Sequence, residues 1–555
     1  MSERIFIGVA WPYASGSRHL GHIAGAYLPA DIFARYHRLK GDEVLMVSGS
    51  DEHGTPITIK AEQEGKTPAE VAAFYRREFM DTFQRMGISF DLFTHTNTEN
   101  HTKVTQDFFL KLLNQGYIYK DQVLQAWCPK CQRYLTDRYI EGICPMCGFT
   151  DARGDQCDQC GKPMNPVDLK QPHCKICGGA PEFINSEHFF LKLSAFQEQL
   201  KEWLKTKTFW RANVFHFTEH YLEEGLKDRA ITRDMDWGIP IPLPGYDGKR
   251  IYVWFDAVIG YLSASKEWAT GLQGDPEKWR PFWQNGQAKP YYFIGKDNIV
   301  FHSIIWPAML LGYGGLDLPY DVPANEFLTF EERKFSTSRN WVVNVPDYLS
   351  RYDPDPLRYM LSINMPETND TDFSWSGFVQ RNNNELVATY GNLVNRVLTF
   401  TYRNFDGKVP EPAELGNDDR EILAKAKNTI AEMDGYLTGC KFKLAILRAM
   451  ELAQAANRYL DGKSPWKAIK ENRPAAASSL YVAISVIAQL KTMLYPFIPF
   501  SSQKVHEYLG FDGKVEDYGW KPQVVIPGQK LREPHALFKK LDESVIEEET
   551  RRIGT

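Results

Sequence analysis

Eight of the nine cysteines in this 555-residue chain fall in four Cys-x-x-Cys pairs: Cys128/Cys131, Cys144/Cys147, Cys157/Cys160 and Cys174/Cys177. They lie in "WCPKCQRY", "ICPMCGF", "QCDQCGK" and "HCKICGG", all between residues 128 and 177. Each second cysteine is followed closely by glycine or a polar residue, as in a zinc knuckle. Four thiolates complete one tetrahedral zinc shell, so eight make two structural sites with no position open for catalysis. A disulfide framework suits an oxidising compartment, and a redox Cys-x-x-Cys needs only one pair. Which pairs share a metal stays open, because sequential, crossed and nested pairings all give tetra-Cys sites. Cys440, in the apolar stretch "CKFKLAILRAM", reads as a core residue.

The cysteine-rich segment interrupts an α/β pattern. "RIFIGVAW", Arg4 to Trp11, reads as a buried strand, and "LGHIAGAYLPADIFARYHRLKG" as a helix kinked by Pro29. "DEVLMVSGSDEHG" follows as strand and loop. This order opens a doubly wound sheet, whose first strand–helix loop binds phosphate-bearing ligands at helix N-terminal amides. After the cysteines, "KRIYVWFDAVIGYL" and "KPYYFIGKDNIVFHSIIWPAMLLGYGG" again read strand, loop, helix. The fold class is therefore α/β, a split Rossmann-type parallel sheet with an insertion over residues 118–235. From residue 381 the pattern is helical throughout, implying an all-α bundle.

The loop "SGSRHLGHIAG" carries His19 and His22, three apart on one helix face, with Gly21 between them. Two imidazoles there could donate to phosphate oxygens as charge builds in a transition state, or lie on an ordinary amphipathic surface. Neither GxxxxGK[ST] nor GxGxxG is present after the first strand, so any nucleotide is held by another device.

Net charge is -5, so a nucleic-acid partner must be held by local basic patches. One such patch is "RYLDGKSPWKAIKENR", with five Lys or Arg against two acids. The N-terminus lacks the apolar core of a secretory signal, which predicts a cytoplasmic protein. The stretch "AAASSLYVAISVIAQLKTMLYPFIPF" is broken by Gln489 and Lys491 and reads as a buried helix, so no membrane partner is expected. The tail "LDESVIEEETRRIGT" reads as frayed or as a short packed helix.

"RHLGH", Arg18 to His22, is similar to the HIGH signature, and "KFSTS", Lys334 to Ser338, to the KMSKS signature. In this order, with cysteine knuckles between them, these motifs make the chain resemble the class I aminoacyl-tRNA synthetase family, specifically its methionyl-tRNA synthetases, over nearly its whole length. The resemblance implies catalytic halves at 1–117 and 236–325, and a zinc-bearing connective insertion at 118–235. It further implies a KMSKS-like loop with a stem-contact segment at 326–380 and a helical anticodon-binding domain at 381–555.

It also implies amino-acid activation by ATP, with Mg, followed by transfer to tRNA(Met), initiator tRNA included. His19, Gly21, His22, Lys296, Asp297, Lys334, Ser336, Thr337 and Ser338 would form the ATP site. Trp11, Tyr13, Asp51, Trp254, Ala257, Tyr261, Phe301, His302 and Trp306 would form the L-methionine pocket, with Asp51 on the ammonium and aromatic walls for the thioether. Asn392, Arg396 and Trp466 would read the anticodon. Phe335 and Thr337 depart from the motif, and Thr337 removes one lysine that Arg333, Arg339 or Lys296 could replace. Because the sequence stops soon after the helical domain, the family's extra C-terminal dimerisation domain is not expected, and a monomer is. Two other readings remain: a class I synthetase for isoleucine, valine, leucine or cysteine, and a non-catalytic zinc-dependent RNA-binding protein on a synthetase scaffold. The short insertion argues against the editing domain of branched-chain enzymes.

Overall fold

The computed structural model describes residues 2–135, 139–154, 156–162, 164–336 and 340–553. Its centre is a five-stranded parallel sheet built from β1 (Arg4–Val9), β2 (Glu43–Ser50), β3 (Leu92–His95), β4 (Lys289–Gly295) and β5 (Ala324–Asn325). The strand order is β5-β4-β1-β2-β3, and all neighbours run parallel. The order reverses between β1 and β4, so a crevice opens at their carboxyl ends. Both faces are covered, which is why the strands read as continuous apolar runs. Ile5, Ile7, Val9, Met46, Tyr291 and Phe293 belong to one core, while Phe6, Leu45, Val47, Tyr292 and Ile294 belong to the other.

"KRIYVWF" departs from its sequence reading. Lys249–Ile251 pairs antiparallel with Thr232–Asp234, outside the parallel sheet. Lys249 and Arg250 are half-exposed, and a central parallel strand has no solvated face to hold them. The insertion is carried on a long antiparallel ribbon, Ile118–Cys128 against Glu182–Leu191, with the cysteine modules at its far end. It docks back through Tyr139, whose hydroxyl bonds Thr58 at 2.9 Å, and Arg133, 2.9 Å from Glu62. Thr58 and Glu62 lie on helix Thr55–Glu64, directly after the "GSDEHG" loop.

Long helices fill the C-terminal part: Asn417–Thr438, Phe442–Lys463 and Arg473–Leu494. Arg473–Leu494 is long and apolar enough to cross a membrane by composition, but it is buried among the other helices. Cys440 is buried as expected, yet it forms a left-handed turn before helix Phe442–Lys463 rather than lying within it. The tail forms helix Ser544–Thr550, pinned by Glu549, which accepts from Arg351 and from the Tyr352 hydroxyl.

The helix after β1 continues through Pro29. It runs from Leu20 to Lys40 with a π-helical stretch at Ile23–Tyr27. The wider turn accommodates the proline, whose ring would otherwise press on the preceding turn's carbonyl.

This helix is welded to the rest by Asp31. Asp31 accepts from Arg35 Nε at 2.9 Å, Arg358 Nη2 at 2.7 Å, and the Ser89 amide and hydroxyl at 2.8 and 2.6 Å. Arg358 also donates to the carbonyls of Met86, Pro496 and Phe497, joining the sheet-bearing and helical parts. Burial opposes ionisation of Asp31, but Arg35 and Arg358 overcome it and bring its pKa down to about 2. The clamp is complete above the ordinary carboxylate range and is lost as pH falls from about 4 through 2. Arg358→Met leaves Asp31 undercompensated and three carbonyls unpaired, so it should cost ~3–5 kcal/mol in denaturant unfolding. A loss below about 1 kcal/mol would show that the clamp is not a structural strut.

Candidate functional site

The His19–His22 turn sits at the carboxyl end of β1, at the switch point. His19 caps the helix, accepting the Gly21 amide on Nδ1, while the His19 amide donates to His22 Nδ1, both at 3.2 Å. The two rings pack at 3.7 Å between centroids. A Cβ on Gly21 would come within 3.0 Å of the His19 ring and 3.2 Å of Phe335. Burial first, then the positive Arg18, depresses His19 to about 3. Burial, His19 and Arg18 likewise hold His22 well below the usual imidazole range. Both rings are neutral at neutral pH and gain protonation only if negative charge arrives. Arg18 is itself buried, over the Phe79 ring at 4.3 Å, and donates to the Tyr13 and Gly16 carbonyls, fixing the loop.

The KMSKS-like loop closes on this turn. The Leu20 amide bonds the Val343 carbonyl at 3.2 Å, and the Val345 amide bonds the Arg18 carbonyl at 2.8 Å. Ser336 and Trp341 exchange backbone hydrogen bonds at 3.0 and 2.9 Å. Phe335, where the motif has Met, stacks on His19 at 4.6 Å and 12°. Lys334 is exposed, and Arg333 lies over the Trp341 ring at 4.8 Å. Thr337, Ser338 and Arg339 lie outside the described residues. Lys296 is already paired with Glu326 and Asp370 at 2.7 and 2.8 Å, which disfavours it as the missing lysine. Asp297 follows β4, with its carboxylate folded back over Gly295.

A second cluster lines the same crevice. On helix Val253–Glu267, Trp254, Ala257 and Tyr261 share one face. Trp254 stacks on Phe301 at 4.1 Å and meets Tyr13 edge-on at 6.0 Å. The Tyr261 hydroxyl donates to His302 Nε2 at 2.7 Å, and His302 Nδ1 donates to the Asn298 carbonyl at 2.9 Å. Burial, opposed by that carbonyl, lowers His302 to about 4, so the ring stays neutral and the tautomer fixed. Trp11 packs edge-on to Tyr261, and a Cβ on Gly49 or Gly260 would come within 2.4 or 2.7 Å of its ring. Trp306 is fully buried between Phe108 and Trp283 and donates to the Tyr292 hydroxyl at 3.0 Å.

Asp51 is buried beside Tyr13, its amide bonded to the Pro12 carbonyl at 2.8 Å. Sequence reading missed its neighbours His53 and Asp256, which bond through His53 Nδ1 and Asp256 Oδ2 at 2.8 Å. Asp256 Oδ1 is buried and finds no donor among the described residues. The available signal was an aspartate inside the apolar run "VWFDAVIGYL". Burial and Asp256 push Asp51 well above the carboxylate range, and burial raises Asp256 despite His53. Paired carboxylates in this state call for a cation.

The cysteines resolve into two nested sets, Cys128/131/174/177 and Cys144/147/157/160, with all sulfurs of a set within 4.8 Å. Sulfurs lie 3.5 Å apart for Cys128 and Cys177, 3.9 Å for Cys131 and Cys174, and 3.6 Å for Cys147 and Cys157. A zinc tetrahedron with bonds of about 2.3 Å has edges of about 3.8 Å, so both sets could hold zinc. The residue after each second cysteine, Gln132, Gly148, Gly161 or Gly178, has positive φ and turns the chain back toward the sulfurs. The Gly179 amide brings Cys177 down to about 7, while its hydrogen bond to Cys177 pushes Cys131 to about 12. Without a cation, the four thiols of that set cannot all ionise.

In the helical part, Arg396 lies over the Trp466 ring at 4.3 Å and 3.6 Å from Asp461. Asn392 is exposed one turn away on the same helix, Asn392–Asn404. Ser464, at φ 40°, makes the sharp turn that delivers half-buried Trp466 to this face.

A switch-point imidazole pair under a closing loop, on a sheet split by a cysteine-knuckle insertion, defines a class I aminoacyl-tRNA synthetase. Residues 5–398 match the family model for class I tRNA synthetases (M), and residues 409–555 match that for the anticodon binding domain of methionyl tRNA ligase. A methionine–tRNA ligase of Dehalococcoides mccartyi is 62% identical over 554 residues, covering all of both chains. One from Thermomicrobium roseum is 50% identical over 580 residues, covering 100% of this chain and 99% of the relative. The fold also matches Mycobacterium tuberculosis methionyl-tRNA synthetase in complex with methionyl-adenylate, with TM-score 0.80 and 24% identity, over 97% of this chain and 99% of that one. The chain belongs to the methionyl-tRNA synthetase family.

The raised pKa of Asp51 has two opposite consequences. Removing the buried charge with Asp51→Asn should raise Tm, while kcat/KM for methionine in ATP–pyrophosphate exchange falls at least about tenfold. In the wild type, KM for methionine should rise as pH drops toward the Asp51 pKa. A lowered Tm with unchanged KM would contradict the assignment.

Proposed function

We propose that this chain activates L-methionine with ATP to methionyl-adenylate, releasing pyrophosphate, and transfers the methionyl group to tRNA(Met), initiator tRNA included. One observation carries this reading most directly. An aromatic wall suited to a thioether stands with two buried carboxylates of raised pKa, Asp51 and Asp256, suited to an ammonium, at the strand ends where the His19–His22 turn also lies.

Asp51, with Asp256 and His53 behind it, receives the ammonium. Trp11, Tyr13, Trp254, Ala257, Tyr261, Phe301 and His302 surround the side chain. The substrate carboxylate is thereby aimed at the α-phosphorus. His19 and His22 donate to the phosphate oxygens as negative charge shifts onto them around the pentacoordinate phosphorus, and Lys334 approaches from the loop with Ser336, Thr337 and Ser338. Mg accompanies ATP and spreads the phosphate charge when bound. Zinc in the two cysteine sets would tie the ribbon tip together and leave no open coordination site. Phe335 must leave the face of His19 as the loop moves, which fits a lid that clamps ATP and then releases pyrophosphate. Asn392, Arg396 and Trp466 receive anticodon bases. Unpaired thiols fit the reducing cytoplasm.

ATP–pyrophosphate exchange across the twenty amino acids tests the substrate. Methionine alone should give strong exchange, and exchange with none would leave an RNA-binding protein on a synthetase scaffold. His22→Ala should lower kcat roughly a hundredfold with little change in methionine KM, because the imidazole acts on transition-state charge. A raised KM with normal kcat would move His22 to the pocket wall. Trp466→Ala should leave exchange near wild type while lowering kcat/KM for tRNA charging at least about tenfold. If both activities fall with Tm, Trp466 is a core residue. Metal analysis should find two zinc ions per chain, and Cys144→Ser should remove one.

A further inference from the structure

We infer that Asn325 and Arg211 are positioning residues for amino-acid activation, holding the His19–His22 turn and tying it to helix Phe442–Lys463, whose far end leads to Trp466. The inference rests on the phosphate role proposed for the two histidines.

It begins with a missing donor. In the π-helical turn, the Leu28 amide bonds the Ile23 carbonyl, five residues back. The next residue, Pro29, has no N–H. The Ala24 carbonyl therefore receives nothing from its own helix, and Ala24 is fully buried. A buried carbonyl needs a partner. Asn325, at the end of β5 and also buried, donates from Nδ2 to the Ala24 carbonyl at 2.8 Å. Ala24 lies two residues beyond His22. The Asn325 contact thus fixes the phase of the helix where it presents both imidazoles.

Asn325 is oriented in turn. Arg211 Nη1 donates to Asn325 Oδ1 at 2.6 Å, which leaves the amide nitrogen facing Ala24. The same nitrogen also reaches the Ala324 and Glu367 carbonyls at 3.1 and 3.4 Å. Arg211 Nη2 donates to the Cys440 carbonyl at 2.8 Å, in the left-handed turn before helix Phe442–Lys463. Glu367 accepts the Lys443 amide at 2.9 Å, so that helix is docked at its first turn. The helix has 22 residues, roughly 33 Å of rigid rod, and its far end leads through Ser464 and Pro465 to Trp466. One hydrogen-bonded line therefore joins the foot of helix Phe442–Lys463 to the signature turn.

The test uses the full chain. Asn325→Ala strands the Ala24 carbonyl, and kcat for methionine-dependent ATP–pyrophosphate exchange should fall about ten- to hundredfold, while KM for methionine moves less than about threefold. Pro29→Ala places an N–H five residues after Ala24. Added to Asn325→Ala, it should bring kcat to within about threefold of Pro29→Ala alone. Normal exchange by Asn325→Ala, with His22→Ala defective in the same assay, would overturn the inference. Normal exchange by both would instead remove the phosphate role on which it rests. A joint loss of kcat, methionine affinity and Tm, unrelieved by Pro29→Ala, would reduce Asn325 to a structural residue and overturn it too. For the link, Arg211→Met and Trp466→Ala should couple by at least about threefold in tRNA charging, and strictly independent effects would break the line at Arg211.

Discussion

A carboxylate buried between two guanidinium groups sets the frame of this molecule. Asp31 stands on the helix that begins at the His19–His22 turn, and it is the meeting point of Arg35, Arg358 and the Ser89 loop. Through Arg358 the same charge reaches the carbonyls of Pro496 and Phe497 in the helical part. The signature helix is thus gripped in its middle by elements hundreds of residues away. Its N-terminal turn is left to be shaped by lighter contacts: Arg18 on the loop carbonyls, Leu20 on Val343, and Asn325 on Ala24. A helix held in its middle, with a separately shaped tip, suits the phosphate-facing role proposed for the two imidazoles.

The buried carboxylates divide by partner. Asp31 has two cations and a lowered pKa, and its work is structural. Asp51 and Asp256 share one histidine neighbourhood, have no resident cation, and are raised. Burial alone does not separate the two kinds. A buried anion whose field is unanswered within the fold is stabilised only by what binds there, and that marks function more clearly than any short motif. The cysteine sets follow the same logic, since four crowded thiols wait for a dication.

Much of this was legible in the sequence. Strands β1, β2 and β4 announced themselves because both faces are buried, and the helical domain because its periodicity is long and regular. The cysteine spacing identified two tetra-Cys sets but not their nesting, which depends on the ribbon bringing Cys128 back to Cys177. Pro29 pointed to an interruption of the helix but not to the π-turn that precedes it, because local propensity says nothing of an asparagine 301 residues away. Lys249–Ile251 looked like a sheet strand from three residues whose charged pair forbids that place. Trp306 read as a pocket wall, and its packing between Phe108 and Trp283 is a placement only the tertiary structure decides. His53 and Asp256 were passed over because the pair forms across 203 residues.

The central claim is that His19 and His22 are kept neutral by desolvation and become hydrogen-bonded to phosphate charge only when ATP is bound. Titration of the two imidazoles by NMR in the full chain, with and without ATP, tests it most directly. In the free protein, His19 should remain neutral down to about pH 4, since its pKa lies near 3, and His22 should titrate well below the ordinary imidazole value. With ATP bound, both should shift upward, because phosphate charge favours the protonated form. Free-protein titrations near the ordinary value of about 6.5, unmoved by ATP, would contradict the account.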